Sequence, residues 1–161
     1  MNDEEFEKVK DYALRFLSFR PRSSQELKQR LKIYLAKKNL SEDLIEKVIA
    51  FLREKNFIND VEFAKWWAAA RKSQTIKGIN AIRLELVAKG INKDIIDEIL
   101  VSVDGSTELQ KAIIIINRKL PLFRKSYPKN LLKLKLGRLL FNRGFSSDVI
   151  KKAIDECFKK I

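Results

Sequence analysis

Between Leu109 and Ser147 ten basic side chains, Lys111, Arg118, Lys119, Arg124, Lys125, Lys129, Lys133, Lys135, Arg138 and Arg143, occur without a single Asp or Glu. Side chains of that type suit phosphate, because displacing condensed counterions gives sequence-independent, salt-sensitive affinity. An acidic protein surface attracts them equally. Ordinary solvated helix faces mix both signs, so a one-sign run of this length marks Arg124, Lys125, Lys129, Lys133, Lys135, Arg138 and Arg143 as candidates for a DNA-binding or filament-binding surface.

Two smaller groups resemble this one in chemistry. Arg20-Pro21-Arg22 lies near Lys28, Arg30 and Lys32, with Glu26 placed to pair with Arg30 four residues on. Arg71, Lys72 and Lys77 flank the corresponding turn one repeat later and complete the candidate basic surface. Trp66 and Trp67 could stack on bases as aromatics do in single-strand binders. The spacing of Phe63, Trp67 and Ala70 instead predicts a helix stripe with Trp67 in the core and Trp66 near a joint.

Catalytic chemistry has little to draw on. The chain has no His, one Cys (Cys157) and no glycine-rich phosphate loop of the G-x-x-x-x-G-K-[ST] type, so the usual zinc, thiol and nucleotide-hydrolysing constellations are missing. No catalytic residue, metal ligand or cofactor is assigned, and binding is expected in place of catalysis. The lone cysteine fits a reducing cytoplasm. No leader or membrane-spanning run is read from the sequence.

The elements that must position these cations are helical. Of 161 residues 45% are hydrophobic and 34% charged, with only five glycines and three prolines. A motif recurs: Asn39-Leu40-Ser41-Glu42-Asp43, then Gly90-Ile91-Asn92-Lys93-Asp94, then Gly144-Phe145-Ser146-Ser147-Asp148. Asn or Gly in first place tolerates the left-handed turn that ends a helix, the next residue enters the core, and Ser41, Asn92 and Ser146 can cap the helix that follows. Asp43, Asp94 and Asp148 favour the positive end of that helix, which makes their recurrence structural and not a metal or acid–base site. Upstream, Leu31/Leu35, Ile82/Leu86 and Leu136/Leu140 form matching apolar pairs four apart.

The pattern predicts an all-α fold of three tandem three-helix repeats in an elongated, curved array: residues 1–58, 59–105 and 106–161. Predicted helices cover 3–19, 23–38 and 41–55, then 60–73, 77–89 and 92–103, then 106–119, 128–143 and 146–160. Hinges are expected at Asn56–Asn59 and Val103–Ser106, and a loop bracketed by Pro121 and Pro128. Net charge is +13, of which the three repeats carry +3, 0 and +10. Units of about 50 residues bury little core alone, so neighbours are expected to share apolar surface.

Three passages of the chain resemble the RecX family, bacterial regulators of the recombinase RecA: Tyr12-Ala13-Leu14-Arg15-Phe16-Leu17 with Arg20-Pro21-Arg22-Ser23; Phe57-Ile58-Asn59-Asp60 with Phe63-Ala64 and Arg71; and Gly78, Ile82, Glu85-Leu86 with Lys89-Gly90-Ile91. Arg143-Gly144-Phe145 extends the likeness to the third repeat. The segment Ser23–Lys38 departs from the family pattern by about one extra turn, with Asn39 where glycine is common. The resemblance implies a non-enzymatic cytoplasmic monomer that binds RecA filaments on single- or double-stranded DNA. It also implies modulation, with inhibitory sign, of strand exchange, ATP hydrolysis and induced repressor self-cleavage. A stand-alone DNA-binding or architectural protein is the alternative, since three-helix units can place a helix in a major groove.

Overall fold

A computed structural model describes residues 3–74, 76–101 and 105–159, the side chains of residues 72–74, 105 and 106 excepted. Among these residues there are nine α-helices and no strand: α1 (Asp3–Ser18), α2 (Ser24–Lys38), α3 (Asp43–Glu54), α4 (Asp60–Gln74), α5 (Ile79–Ala88), α6 (Lys93–Val101), α7 (Gly105–Ser126), α8 (Lys129–Asn142) and α9 (Ser147–Lys159). The all-helical reading is correct, three helices to each repeat. The expected hinge at Val103–Ser106 falls largely outside the described residues.

The recurring motif performs each role its residue types suggest. Asn39, Gly90 and Gly144 take positive φ values of 53°, 74° and 84°, and the next residue's N–H turns back to the carbonyl five residues earlier. The bonds are Leu40 to Leu35, Ile91 to Leu86 and Phe145 to Leu140, at 3.0, 3.1 and 3.2 Å, and they satisfy carbonyls that a helix end otherwise leaves unpaired. Ser41 Oγ, Asn92 Oδ1 and Ser146 Oγ then accept the N–H groups of Asp43, Asp94 and Val149. All six residues of the matching apolar pairs are buried.

The chain folds into two compact units whose limits fall within helices. One holds residues up to Trp67 together with Leu86–Ile95; the other holds Ala68–Glu85 and the residues from Ile96 onward. The second repeat is thus divided between them, so its α4, α5 and α6 each contribute to both.

In the first unit α1, α2 and α3 pack pairwise around Val9, Ala13, Leu27, Leu31, Leu35, Ile45, Val48 and Leu52. Burying side chains of this size stabilises by about 1.5–3 kcal/mol each. Tyr12 and Tyr34 stack with centroids 3.9 Å apart. The start of α2 is fixed by a capping box: Ser23 Oγ accepts the Glu26 N–H at 3.1 Å and the Glu26 carboxylate accepts the Ser23 N–H. Ser23 Oγ also donates to the Lys89 carbonyl at 2.7 Å, and the Ser24 N–H donates to Asp60 Oδ1 at 2.8 Å. A Cβ on Gly90 would lie 2.5 Å from Gln25 Cβ, so glycine serves both the left-handed turn and this close approach.

Glu26 does not pair with Arg30. As the third residue of a capped helix its carboxylate folds back toward the helix start, where Arg20 grips it at 2.8 Å and Lys89 reaches it at 2.6 Å. Arg30 lies over the rings of Tyr12 and Phe16. Burial opposes ionisation of Glu26, but the hydrogen bonds from Arg20, Lys89 and the Ser23 N–H outweigh it and hold the pKa at about 2.

In the second unit α7, α8 and α9 enclose Ala112, Ile115, Ile116, Leu132, Leu136, Leu140, Phe145, Ala153 and Ile154. The expected loop from Pro121 does not exist. Helix α7 runs through Pro121 to Ser126, although proline removes one helical hydrogen bond and costs about 3 kcal/mol. Leu120 is buried, and Phe123 and Tyr127 pack on the same core with their rings edge-on at 5.4 Å. Unwinding after Lys119 would expose all three. That loss exceeds the proline penalty, so the turn is delayed to Pro128.

The start of α5 docks on the end of α8. The Gly78 and Asn80 N–H groups donate to the Arg143 and Gly144 carbonyls at 2.8 and 3.0 Å, and the Ile79 N–H donates to Glu108 Oε2 at 2.9 Å. Backbone meets backbone here: a Cβ on Gly78 would lie 2.3 Å from the Gly144 oxygen.

Gly78→Ala is therefore expected to cost about 3 kcal/mol by overpacking. Gly137→Ala, whose Cβ would meet nothing nearer than Ile154 Cδ1 at 3.6 Å, should gain about 0.5–1 kcal/mol of helix propensity. Thermal melting followed by circular dichroism separates the two. Glu26→Gln should lower stability by about 1.5–3 kcal/mol at neutral pH, the range for hydrogen bonds to a charged group. A depressed carboxylate pKa gives stabilisation that is present above the ordinary value near 4.5 and is lost as pH falls through about 2. Melting curves of the two proteins should converge over that window.

Candidate functional site

The seven candidate cations of the third repeat share one chemical situation. Arg124 and Lys125 lie in the last turn of α7, Lys129, Lys133, Lys135 and Arg138 on α8, and Arg143 at the α8 C-cap. Among the described residues none of them forms a salt bridge, while Lys111 of the same run is taken by the buried carboxylate of Glu108 at 3.0 Å. Arg124, Lys125, Lys129, Lys133 and Arg138 are exposed; Lys135 and Arg143 are half-buried.

Helix packing sets where these charges point. Leu132, Leu136 and Leu140 commit one face of α8 to the core, which leaves Lys129, Lys133 and Arg138 on its outer surfaces. Two ammonium groups are steadied by aromatic rings: Lys133 Nζ lies 5.3 Å from the Phe158 centroid and Lys135 Nζ 4.8 Å from that of Tyr127. Tyr127, Phe158, Arg124, Lys129 and Leu132 line a cleft of about 320 Å³. A more open groove of about 660 Å³ along α8 and α9 has Leu134, Gly137, Phe141 and Ile150 between Lys133, Arg138 and Lys151. Phe141 is 67% exposed and Leu134 66%. Cations beside exposed rings and aliphatic side chains can hold phosphates or an acidic protein surface without separate neutralisation.

The second-repeat candidates stand differently. Arg71 Nε donates to Glu85 Oε2 at 2.7 Å and Lys77 Nζ to Glu85 Oε1 at 2.5 Å. These cations brace the segment around the α5–α8 junction. The side chain of Lys72 lies outside the described residues. Trp67 is half-buried, stacked on Phe63 at 5.8 Å with Lys89 Nζ 4.9 Å from its ring, and Trp66 is 37% exposed.

Three family models match in chain order and between them span most of the sequence: RecX, first three-helix domain, over residues 10–52; RecX, second three-helix domain, over 59–100; and RecX, third three-helix domain, over 106–154. The chain belongs to the RecX family. It is 31% identical over 150 residues to the regulatory protein RecX of Clostridium botulinum, covering 92% of this chain and 68% of that protein. It is 32% identical over 157 residues to the regulatory protein RecX of Bacillus cytotoxicus, covering 96% of this chain and 55% of that one. The chain therefore spans about half the length of its Bacillus relatives. The crystal structure of RecX from Lactobacillus salivarius shares the fold, with a TM-score of 0.85 at 24% identity over 96% of this chain and 97% of that one. RecX proteins are regulators and not enzymes. No helix among the described residues is long and apolar enough to cross a membrane.

The difference between braced and free cations is measurable. Arg71→Gln should lower the melting temperature, because Glu85 loses a part-buried partner at a cost of about 1–3 kcal/mol. Lys129→Gln and Arg138→Gln should leave stability within about 0.5 kcal/mol of the unsubstituted chain. Equal losses in all three would mean that the α8 cations are also structural.

Proposed function

We propose that this chain binds RecA nucleoprotein filaments and inhibits filament-dependent activities, namely ATP hydrolysis, strand exchange and induced repressor self-cleavage, in recombination and DNA repair. Family membership supports RecA as the partner. The observation that carries the chain's own part in it is the set of seven cations on α7, α8 and the α8 C-cap that form no salt bridge among the described residues. On this reading Arg124, Lys125, Lys129, Lys133, Lys135, Arg138 and Arg143 supply electrostatic attraction to DNA or to an acidic filament surface. Arg71 and Lys77 contribute less, because contact with a partner would have to compete with Glu85. Lys72 is retained as a candidate on its sequence position.

The free cations equally support a second reading, a stand-alone DNA-binding protein, since counterion release needs no recombinase.

The purified chain should slow ATP hydrolysis by RecA filaments at a low molar ratio, and the combined change Lys133→Glu, Lys135→Glu, Arg138→Glu should weaken that effect. Hydrolysis unaffected by folded, unsubstituted chain would sink the proposal. Binding to bare DNA and to RecA-coated DNA over a salt series separates the two readings. A regulator prefers the coated form, whereas a stand-alone binder loses affinity when RecA covers the DNA. Each DNA phosphate contact removed by substitution should flatten the log–log salt slope by about 0.7–0.9.

A further inference from the structure

A second concave surface lies in the first unit, where the turn between α1 and α2 faces the turn between α3 and α4. Its volume is about 510 Å³ and its walls include Leu17, Arg20, Arg22, Phe57, Phe63 and Trp66. Two of the passages that carry the RecX likeness, Arg20-Pro21-Arg22-Ser23 and Phe57-Ile58-Asn59-Asp60, both line it, and the N–H of Ser24, next in the chain after the first, donates to Asp60 of the second. The fold accounts for some of these residues: Arg20 holds Glu26, Phe63 is core, and Asn59 caps α4 by accepting the Val61 and Glu62 N–H groups. It leaves the Nε of Arg22 without a partner among the described residues and much of Phe57 and part of Trp66 exposed, although Trp66 touches Phe63 with ring centroids 5.9 Å apart.

The Arg22 guanidinium stacks on Phe16 with its central carbon 4.2 Å from the ring centroid. Its Nε is buried and lacks a hydrogen-bond partner among the described residues. Arg20 and Arg30 lie near enough to repel it, and Glu26, which attracts it, is already held by Arg20 and Lys89. A guanidinium carries five donors in a fork suited to a planar anion, and leaving the buried one, the Nε–H, unsatisfied is costly. Beside it Phe57 is 56% exposed, Trp66 37%, and Phe19 on the adjoining turn 82%. Arginine and large aromatics around a concave surface are the composition of a protein-binding hot spot.

We propose that this pocket docks an acidic segment of a protein partner, with a carboxylate forked on Arg22 and a neighbouring large apolar side chain against Phe57 and Trp66. Resting on the reading above, that partner is the RecA protomer of the filament. A nucleic acid strand is the poorer fit. The first repeat carries a surplus of only +3, too little for strong counterion-driven binding. Glu62 also lines the pocket, paired with Lys65 at 3.0 Å; a lone carboxylate can avoid it, but a run of phosphates cannot. The site is independent of the α8 cations and would fix where the filament is held, while those cations draw the chain in.

The test measures binding of the full chain to RecA filaments on single-stranded DNA, with bare single-stranded DNA in parallel, for Arg22→Gln, Phe57→Ala and Trp66→Ala. Each should weaken filament binding at least tenfold with bare-DNA affinity unchanged. Arg22→Lys, which keeps charge without the planar fork, should recover only part of the loss. Phe57 is mostly exposed, so Phe57→Ala should melt like the unsubstituted chain and separates lost contact from lost fold. Filament affinity unaltered in Phe57→Ala and Trp66→Ala, while the unsubstituted chain binds, would overturn the pocket assignment alone. Parallel loss of bare-DNA affinity would overturn the protein partner in favour of nucleic acid. An unsubstituted chain that ignores filaments would overturn the functional reading on which the assignment rests.

Discussion

Backbone N–H and C=O groups at helix ends cannot be buried without partners, and the nine helices among the described residues present many such ends. Each compact unit meets this constraint by setting the start of one second-position helix against the end of another. In the first unit the α2 start meets Lys89 and Gly90 beyond α5; in the second the α5 start meets Arg143 and Gly144 beyond α8. The positive end of one helix dipole thereby faces the negative end of another. What makes this approach possible is the left-handed turn, which frees the carbonyls before it and leaves no Cβ in the gap at Gly90 and Gly144.

That constraint explains why the compact units do not follow the repeats. An apolar stripe can be buried within three local helices, as it is for α1–α3 and α7–α9. A helix end must instead be satisfied by whatever backbone lies beyond it. The second repeat supplies the helix end used in the first unit and the helix start used in the second, so its residues are divided between the two. The repeat pattern was legible because period, caps and left-handed residues are local signals. The division was not, because it depends on contacts such as Ser23 with Lys89 and Ile79 with Glu108, which sequence spacing does not encode.

The same distinction runs through the charged residues. Helix spacing assigns Glu26 to Arg30; its capping role in the first turn of α2 instead turns it toward Arg20 and, through the fold, toward Lys89. Local propensity disfavours proline inside a helix and so predicts a loop from Pro121, whereas burial of Leu120 and Phe123 carries α7 past it. The basic run on α7 and α8 was visible at once, since a stretch without acids needs no tertiary information. The pocket beside Arg22 was not, because it joins two turns about 35 residues apart and its character depends on which carboxylates are already occupied.

Occupancy by carboxylates is what sorts the cations of this protein into two kinds. Arg20, Lys89, Arg71, Lys77 and Lys111 surround only three acids, Glu26, Glu85 and Glu108, each of which holds more than one donor near a helix junction. Withdrawing such a cation to meet a phosphate would leave a part-buried carboxylate short of a partner, a cost that attraction to a distant charge does not recover. The cations of α8 carry no such cost. They can exchange counterions for phosphate or carboxylate without disturbing the fold, and their contribution should fall with salt. Arg22 belongs to neither kind: it is half-buried like the first, yet its Nε has no partner among the described residues. Its attraction for an anion is therefore less screened than that of the surface lysines, and depends on geometry as well as charge. A protein that combines the three can tolerate strong electrostatic attraction on one helix because the ion pairs holding its helix junctions use other side chains.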